Sequence, residues 1–246
     1  MRRFEYTEDD QSGEQTLLSI AEAQKFNKWM YDTIKPFCKG EILELGSGTG
    51  NITHFFLKDN KQITASDIRE NYRLYLSQTF WKHELDVLNI DMVHNEFDHV
   101  YHKQINSFDT VFALNVLEHI EDDFSAINNC KKLLKENGVL IILVPSYELL
   151  YNKLDASLRH YRRYNKASLS KLFEDNGLTV KHSQYFNFVG IIAWFLSGKV
   201  LKDDHVPSGK MKLFNFLLPL FKIVDKCILK KIGLSTIVVG EKKNNS

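Results

Sequence analysis

Several things are scarce in this 246-residue chain, and each scarcity narrows the reading. There are three cysteines, Cys38, Cys130 and Cys227, scattered and odd in number, with no C-x-x-C pair. That argues against a disulfide framework or a structural zinc site and for a reducing, cytoplasmic setting. Four prolines and twelve glycines leave no linker-like tract, and no internal repeat or low-complexity segment is visible. A single domain over 1–246 is therefore expected. The net charge of +1 supplies no global field that would gather nucleic acid. The N-terminus lacks the apolar run of a signal peptide. Two apolar stretches occur late, Phe188 to Leu201 and Met211 to Lys231. The first is interrupted at Lys199 and the second at Pro219, so both fall short of the roughly 20 apolar residues that span a bilayer. What the chain does have is 43% hydrophobic residues, ample for one large core.

The stretch Glu41 to Asn51, E-I-L-E-L-G-S-G-T-G-N, organises the rest. Ile42, Leu43 and Leu45 read as a short buried strand that stops at Gly46, Gly48 and Gly50, and a helical pattern follows from Asn51. A strand turning through glycines into a helix N-terminus makes a cradle of free N–H groups for a polar ligand. The dinucleotide fingerprint G-x-G-x-x-G would need its third glycine where Asn51 stands. Glu44, two residues before the first glycine, would repel a pyrophosphate and suits a ligand carrying an ammonium group. Asp67 ends a second strand, Gln62 to Ser66, at the place where a carboxylate can accept both hydroxyls of a ribose.

Further strands are expected over Val87 to Val93, with Asp91 near its end, over Phe108 to Leu114, and over Val139 to Val144. Helices are expected over Glu14 to Ile34, Ile52 to Lys58, Asn71 to Trp81, and from Asp122–Asp123 to Glu136, where Asn137-Gly138 ends the last one. Lys166 to Asn176 is a helix, Leu178 to Phe186 a sixth strand, and Thr236 to Val239 a final one. The alternation argues for a doubly wound parallel sheet whose ligands bind at the carboxyl ends of its strands. Glu44 to Gly50, Asp67, Asp91 and Asn115 to His119 all fall at those ends.

E-L-G-S-G-T-G-N, then Asp67, then F-D-T-V-F-A-L-N-V-L-E-H-I, then L-L-K-E-N-G-V-L-I-I-L-V-P resembles, in order and spacing, the core of the class I S-adenosylmethionine-dependent methyltransferases. The resemblance covers about Gly40 to Pro145. It implies an α/β, Rossmann-like, doubly wound seven-stranded sheet with the last strand antiparallel, helices on both faces and a helical insert before the last strand. It implies S-adenosyl-L-methionine as cofactor, held by Glu44, Gly46, Ser47, Gly48, Gly50, Asp67, Ile68, Asp91 and Asn115. The N-V-L-E-H segment is similar to that of methyltransferases of the quinone-biosynthesis type. In some of those, acidic residues beside the Glu-His pair hold a divalent metal. Here Asn115 replaces the first acid, and no metal site is expected. Residues 1–36 are read as an N-terminal helical lid, 40–145 as the cofactor-binding core, and 146–246 as a substrate-side half with an apolar insert over 188–231.

Leu150 to Tyr164, L-Y-N-K-L-D-A-S-L-R-H-Y-R-R-Y, is the least ordinary stretch. Together with F-N-K-W (Phe26 to Trp29) and G-L-S-T-I-V-V-G it looks like a bacterial methyltransferase subgroup often associated with glycosyltransferases. Arg162 or Arg163 is expected to grip an anionic group, on the substrate or on a neighbouring acidic side chain. Trp29 is a further substrate-side candidate. A hydroxyl acceptor needs a base, for which His119 is the first candidate, with His160 and Tyr164 as rivals. The apolar insert reads either as core packing or as a lysine-flanked cap for a lipid-linked acceptor, with peripheral membrane association at the inner membrane face. The acceptor is thus a small molecule, a glycan or a lipid-linked compound, methylated on oxygen or nitrogen. Two other classes remain: a nucleotide-binding oxidoreductase, and a catalytically silent scaffold of the same fold.

Overall fold

The computed structural model describes residues 23–196 and 208–243. The earlier part of the helix expected over Glu14 to Ile34, and the 197–201 portion of the first apolar stretch, lie outside the described residues. The sheet consists of β1 (Ile42–Leu45), β2 (Ile63–Ser66), β3 (Asp86–Leu88), β4 (Phe108–Leu114), β5 (Leu134–Pro145), β6 (Leu178–Phe186) and β7 (Ser235–Lys242). Its seven strands run in the order β3-β2-β1-β4-β5-β7-β6. The first five are mutually parallel, and β7 lies antiparallel between β5 and β6. The strand order therefore reverses at β1, which is flanked by β2 on one side and β4 on the other. In such a sheet the connections leaving β1 and β4 diverge to opposite faces and open a crevice above their carboxyl ends.

Helices cover both faces, as the strand–helix alternation requires. On one face α1 (Gln24–Ile34), α2 (Thr53–Lys58) and α3 (Glu70–Thr79) bury Met30, Tyr31, Ile34, Phe56, Leu57 and Leu76 against Ile42, Phe112 and Ile141. On the other, α5 (Asp123–Leu133) and α7 (Lys166–Asp175) bury Ala126, Ile127, Cys130, Leu133, Leu169 and Phe173 against Leu43, Val111 and Leu140. Two small helices, α4 (Phe97–Val100) and α6 (Lys153–Ser157), decorate the loops after β3 and β5. Burying so many aliphatic side chains, at ~25 cal/mol per Å² of apolar surface, is the main term holding the layers together.

Two expectations need correction. The third strand stops at Leu88, so Asp91 sits in the loop beyond it. Ile90 and Met92 are buried, which gives the sequence its strand-like alternation. Their backbone is nevertheless bonded to side chains: the Ile90 N–H donates to Ser66 Oγ at 3.2 Å and the Asp91 N–H to Tyr101 Oη at 2.9 Å. The helix expected to reach Glu136 ends at Leu133 instead. Leu134 already pairs beside Phe108, and the register shifts before Val139, with Asn137 at φ 60° taking up the excess chain.

The insert before β7 comprises α8 (Phe188–Phe195) and α9 (Ser208–Cys227), the latter containing Pro219. Asp225 of α9 accepts the backbone N–H groups of Asn187 and Phe188 at 2.8 and 2.6 Å, pinning the two helices together. Phe214, Leu218 and Phe221 turn inward, where Phe26 of α1 stacks edge-on to Phe214 with ring centroids 5.7 Å apart. No described helix is long and apolar enough to cross a membrane.

Candidate cofactor and acceptor site

The glycine turn is built as the sequence demands. Gly46, Gly48 and Gly50 all have positive φ, 71°, 52° and 78°, which only glycine adopts freely. A Cβ on Gly46 would come within 2.4 Å of Val116 Cγ2, so the turn after β1 is in contact with the turn after β4. Ser47 ties β1 to β2: its N–H donates to the Ser66 carbonyl at 2.9 Å, and its Oγ accepts the Ser66 N–H at 3.1 Å.

Asp67 is buried at the end of β2, where Oδ2 accepts the Gly48 N–H and Oδ1 the Arg69 N–H, each at 2.9 Å. Each oxygen keeps a second lone pair. Burial raises its carboxyl above the ordinary range, and the two backbone bonds oppose that rise. Glu44 is 4% exposed and hydrogen-bonded by the Thr53 hydroxyl. Burial pushes its carboxyl up to about 8. A carboxylate desolvated this far is stabilised by a cationic neighbour, and an ammonium group is one. The donor set thus fits a ligand that pairs an ammonium with a diol. Asn115 adopts φ 56°, and its N–H donates to the Leu143 carbonyl at 2.8 Å, so its side chain is held just beyond β4. Ile68 is 38% exposed beside Asp67. Asp91 caps its own loop by accepting the Val93 N–H at 2.9 Å.

The second wall comes from the segment after β5. Tyr147 and Tyr164 close it into a loop, the Tyr147 N–H donating to the Tyr164 carbonyl at 2.7 Å and the Tyr164 N–H to the Pro145 carbonyl at 2.9 Å. The Tyr161 N–H donates to the Glu118 carbonyl at 2.8 Å, which docks this loop on the turn after β4. Inside the loop Asp155 is fully buried. Its Oδ1 lies 2.8 Å from both Arg163 Nε and His160 Nδ1. These partners hold the Asp155 carboxyl below its ordinary value despite the opposing effect of burial, the largest single influence on it. A carboxylate can only accept, so His160 presents its proton on Nδ1 to Asp155 and leaves Nε2 facing away.

The His160 ring lies against the turn after β4. The His119 and His160 rings meet edge to face with centroids 4.7 Å apart. Glu118 lies beside them, fully buried, and neither carboxylate oxygen has a hydrogen-bond partner among the described residues. Burial pushes its carboxyl up to about 7, against the pull of His160 and Arg163.

The remaining candidates occupy supporting places. Arg163 is buried, with Nη1 donating to the Ser146 carbonyl at 3.1 Å and its guanidinium 4.7 Å from the Trp194 ring centre. Arg162 pairs with Asp123 at 2.8 Å and donates to the Glu121 carbonyl at 2.7 Å. Both arginines are thus engaged with groups of this chain. The Tyr164 hydroxyl donates to Asp123 Oδ2 at 2.8 Å, and burial together with that carboxylate pushes its pKa far up. Trp29 is packed in the core 4.2 Å from the Phe186 ring. Sequence reading did not single out Glu118 or Asp155 as candidate site residues. The spacing D-x-x-x-x-H from Asp155 to His160 was the one available signal, since both fall within a single short loop.

The comparisons agree with this geometry. The family model described as "Methyltransferase domain" matches residues 43–140. A highly reducing polyketide synthase of Pyrenophora dematioidea is 36% identical over 112 residues, which is 42% of this chain and 4% of that protein. A ubiquinone biosynthesis O-methyltransferase of Xanthomonas euvesicatoria is 25% identical over 154 residues, 57% of this chain and 63% of that one. The chain thus spans less than two thirds of either relative. Phosphoethanolamine N-methyltransferase 2 of Haemonchus contortus, solved with S-adenosyl-L-methionine, shares the fold. Its TM-score is 0.59 at 15% identity, over 89% of this chain and 52% of that one. With the glycine turn, the paired carboxylates and the sheet order all in place, residues 43–140 match a methyltransferase domain, and the chain is recognised as a class I S-adenosylmethionine-dependent methyltransferase.

Proposed function

We propose that this protein transfers a methyl group from S-adenosylmethionine to a hydroxyl of a lipid-linked acceptor. The observation that carries the reaction is the contact between the glycine turn and the turn bearing Glu118 and His119, which sets a proton-handling cluster directly beside the cofactor cradle. When bound, the cofactor supplies a sulfonium-activated methyl group and needs no further activation from the protein. Glu44, the 46–50 turn and Asp67 hold it; the Glu118–His119–His160 wall receives the acceptor. An amine acceptor arrives with its lone pair free once deprotonated in water. A hydroxyl is a weak nucleophile until its proton is taken, and the cluster is where that proton leaves. Asp155 and Arg163 fix the His160 ring, so that little reorganisation accompanies the transfer.

The lipid-linked acceptor is favoured by α9. Leu213, Phe216, Leu220 and Ile223 recur at helical spacing and are 57–73% exposed, forming an apolar stripe on the outer face. Lys226, Lys230 and Lys231 continue from its end, all exposed. An apolar stripe beside lysines suits the surface of an anionic bilayer. The test is methyl transfer from labelled S-adenosylmethionine into fractionated extract, with Asp67→Ala as blank, alongside flotation with anionic vesicles. Label in the lipid fraction, and flotation lost in a Leu213→Ser/Phe216→Ser/Leu220→Ser/Ile223→Ser variant, are expected. Label confined to soluble metabolites would overturn the acceptor class while leaving the reaction intact. Label on amines would overturn the hydroxyl assignment.

A further inference from the structure

We propose that residues 148–163 form a lid over the turn after β4, latched shut by Arg162 and pressed open by the buried carboxyl of Glu118. The segment leaves the sheet at Tyr147 and returns at Tyr164, and the backbone bonds between these two residues close its base. The Tyr147 ring stacks on Tyr185 with centroids 5.0 Å apart, which fixes one end of the base to β6. The Tyr164 hydroxyl on Asp123 fixes the other. Between these ends the segment carries its own framework. Asp155 binds His160 and Arg163, and it caps α6 by accepting the Asn152 N–H at 3.0 Å. The Leu158 N–H donates to the Leu154 carbonyl at 3.0 Å, and the His160 N–H to the Asp155 carbonyl at 2.9 Å. A loop with close ends and packing of its own can move as one body.

The bonds from this body to the turn beneath it are those of Tyr161 and Arg162. The Tyr161 N–H donates to the Glu118 carbonyl at 2.8 Å, while Arg162 reaches Asp123 at 2.8 Å and the Glu121 carbonyl at 2.7 Å. The Arg162 side chain is 32% exposed, so water competes for both of its contacts. Two features oppose closure. Tyr147 sits at φ 61° and ψ 109°, a conformation costly to a bulky residue and kept only where the surroundings impose it. Glu118 is sealed beneath the segment, 0% exposed, with neither carboxylate oxygen hydrogen-bonded among the described residues. The groups that act on it from the loop are His160, Arg163, Asp155 and Tyr164, with His119 beside it in its own turn. Arg163 and Asp155 are paired with each other, so closure leaves a desolvated carboxyl without a committed counter-charge. Burial pushes that carboxyl up to about 7, and near neutral pH an appreciable share of it is ionised. Opening returns it to water.

The role of the lid rests on the proposed reaction: open, it admits the acceptor to the wall it covers, and closed, it keeps water out. The motion does not rest on that reading, and its test needs neither acceptor nor cofactor. Amide hydrogen exchange is read residue by residue on the full chain near neutral pH. A lid that swings as one body exposes the Tyr161 N–H, which is bonded across to Glu118. The Leu158 and His160 N–H groups, bonded within the segment, stay protected. Tyr161 is expected to exchange about tenfold faster than either. Arg162→Ala should speed Tyr161 about tenfold further. Glu118→Gln keeps the shape and removes the charge, and it should slow Tyr161 by about the same factor. Rates are taken relative to the β5 amides, which report global unfolding, so a change in overall stability cancels. Equal rates for Tyr161, Leu158 and His160 would mean that the segment unravels instead of swinging, and would overturn the lid. So would a Tyr161 rate that Arg162→Ala leaves unchanged, or one that Glu118→Gln leaves unchanged or raises.

Discussion

The two walls of this site are made of different material. On the cofactor side, backbone does the holding: three positive-φ glycines, N–H groups that fix Asp67, and strand ends that run in register. On the side proposed to receive the acceptor a buried side-chain network does it, with Asp155 at the centre of His160, Arg163 and the capping box of α6. A backbone cradle suits a ligand that never changes, because its geometry follows from φ angles and sheet register. A side-chain network can be re-specified one residue at a time, which suits the acceptor-selecting role proposed for that wall. The difference also sets how each wall fails: the first by strain, the second by stranded charge.

That contrast can be broken most sharply at Asp155. Asp155→Ala leaves Arg163 buried without its partner, and losing one member of a buried pair costs about 3–5 kcal/mol. Urea unfolding should show a loss of that order, with Asp155→Asn losing less. In the folded fraction of Asp155→Asn, affinity for S-adenosylhomocysteine should stay at the wild-type level, because no cofactor residue is touched. A parallel fall in cofactor affinity would show that the walls are not independent.

The converse change is Gly46→Ala. Forcing a side chain to φ 71° costs about 1–2 kcal/mol, and its Cβ would press into Val116 as well. Gly177→Ala is the control, since φ there is 74° but the nearest atom to a Cβ is Lys131 Nζ at 3.6 Å. Both variants should lose stability, and Gly46→Ala alone should lose cofactor affinity in a binding titration. Equal affinities would mean that the turn's contact with Val116 does not shape the cradle.

A pH series tests the cofactor side at Glu44. Its folded-state pKa, about 8, stands above the ordinary glutamate value near 4.3, so the folded protein binds the extra proton between the two. Stability from this group is therefore fully present below the lower value and is lost as pH rises toward the upper one. Wild-type urea midpoints should decline between pH 5 and pH 8, and Glu44→Gln should flatten that decline. A slope unchanged by the substitution would place the titrating group elsewhere.

How much of this could be read from the chain follows the same division. The seven strands, the glycine turn and Asp67 were readable because each depends on neighbours within a few residues or on one strand–helix–strand step. The boundaries failed where side chains took over from the ladder. Ile90 and Met92 alternate like a strand, yet the backbone there bonds to Ser66 Oγ and Tyr101 Oη. Glu118 was visible only as part of a motif, because what isolates its carboxylate is burial under a loop that begins some thirty residues later. Arginine-rich composition at 159–163 suggested a grip on an anionic group, of the substrate or of a neighbouring acidic side chain. The partners of Arg162 and Arg163 in this chain, Asp123 and Asp155, are set by the docking of that loop, which no spacing rule encodes.

The position of β7 between β5 and β6 has a consequence for how the protein is made. Among the described residues β6 pairs with no strand other than β7, which leaves the ribosome some fifty residues after β6 does. The parallel sheet through β5 can form as the chain emerges, whereas β6 must wait with both edges open. During that interval the apolar insert is also emerging, and nascent chain in this state is the form most exposed to aggregation and chaperone capture. A chain halted before Ser235 would keep every residue proposed to hold the cofactor and still lack the strand that joins β6 to the rest of the sheet.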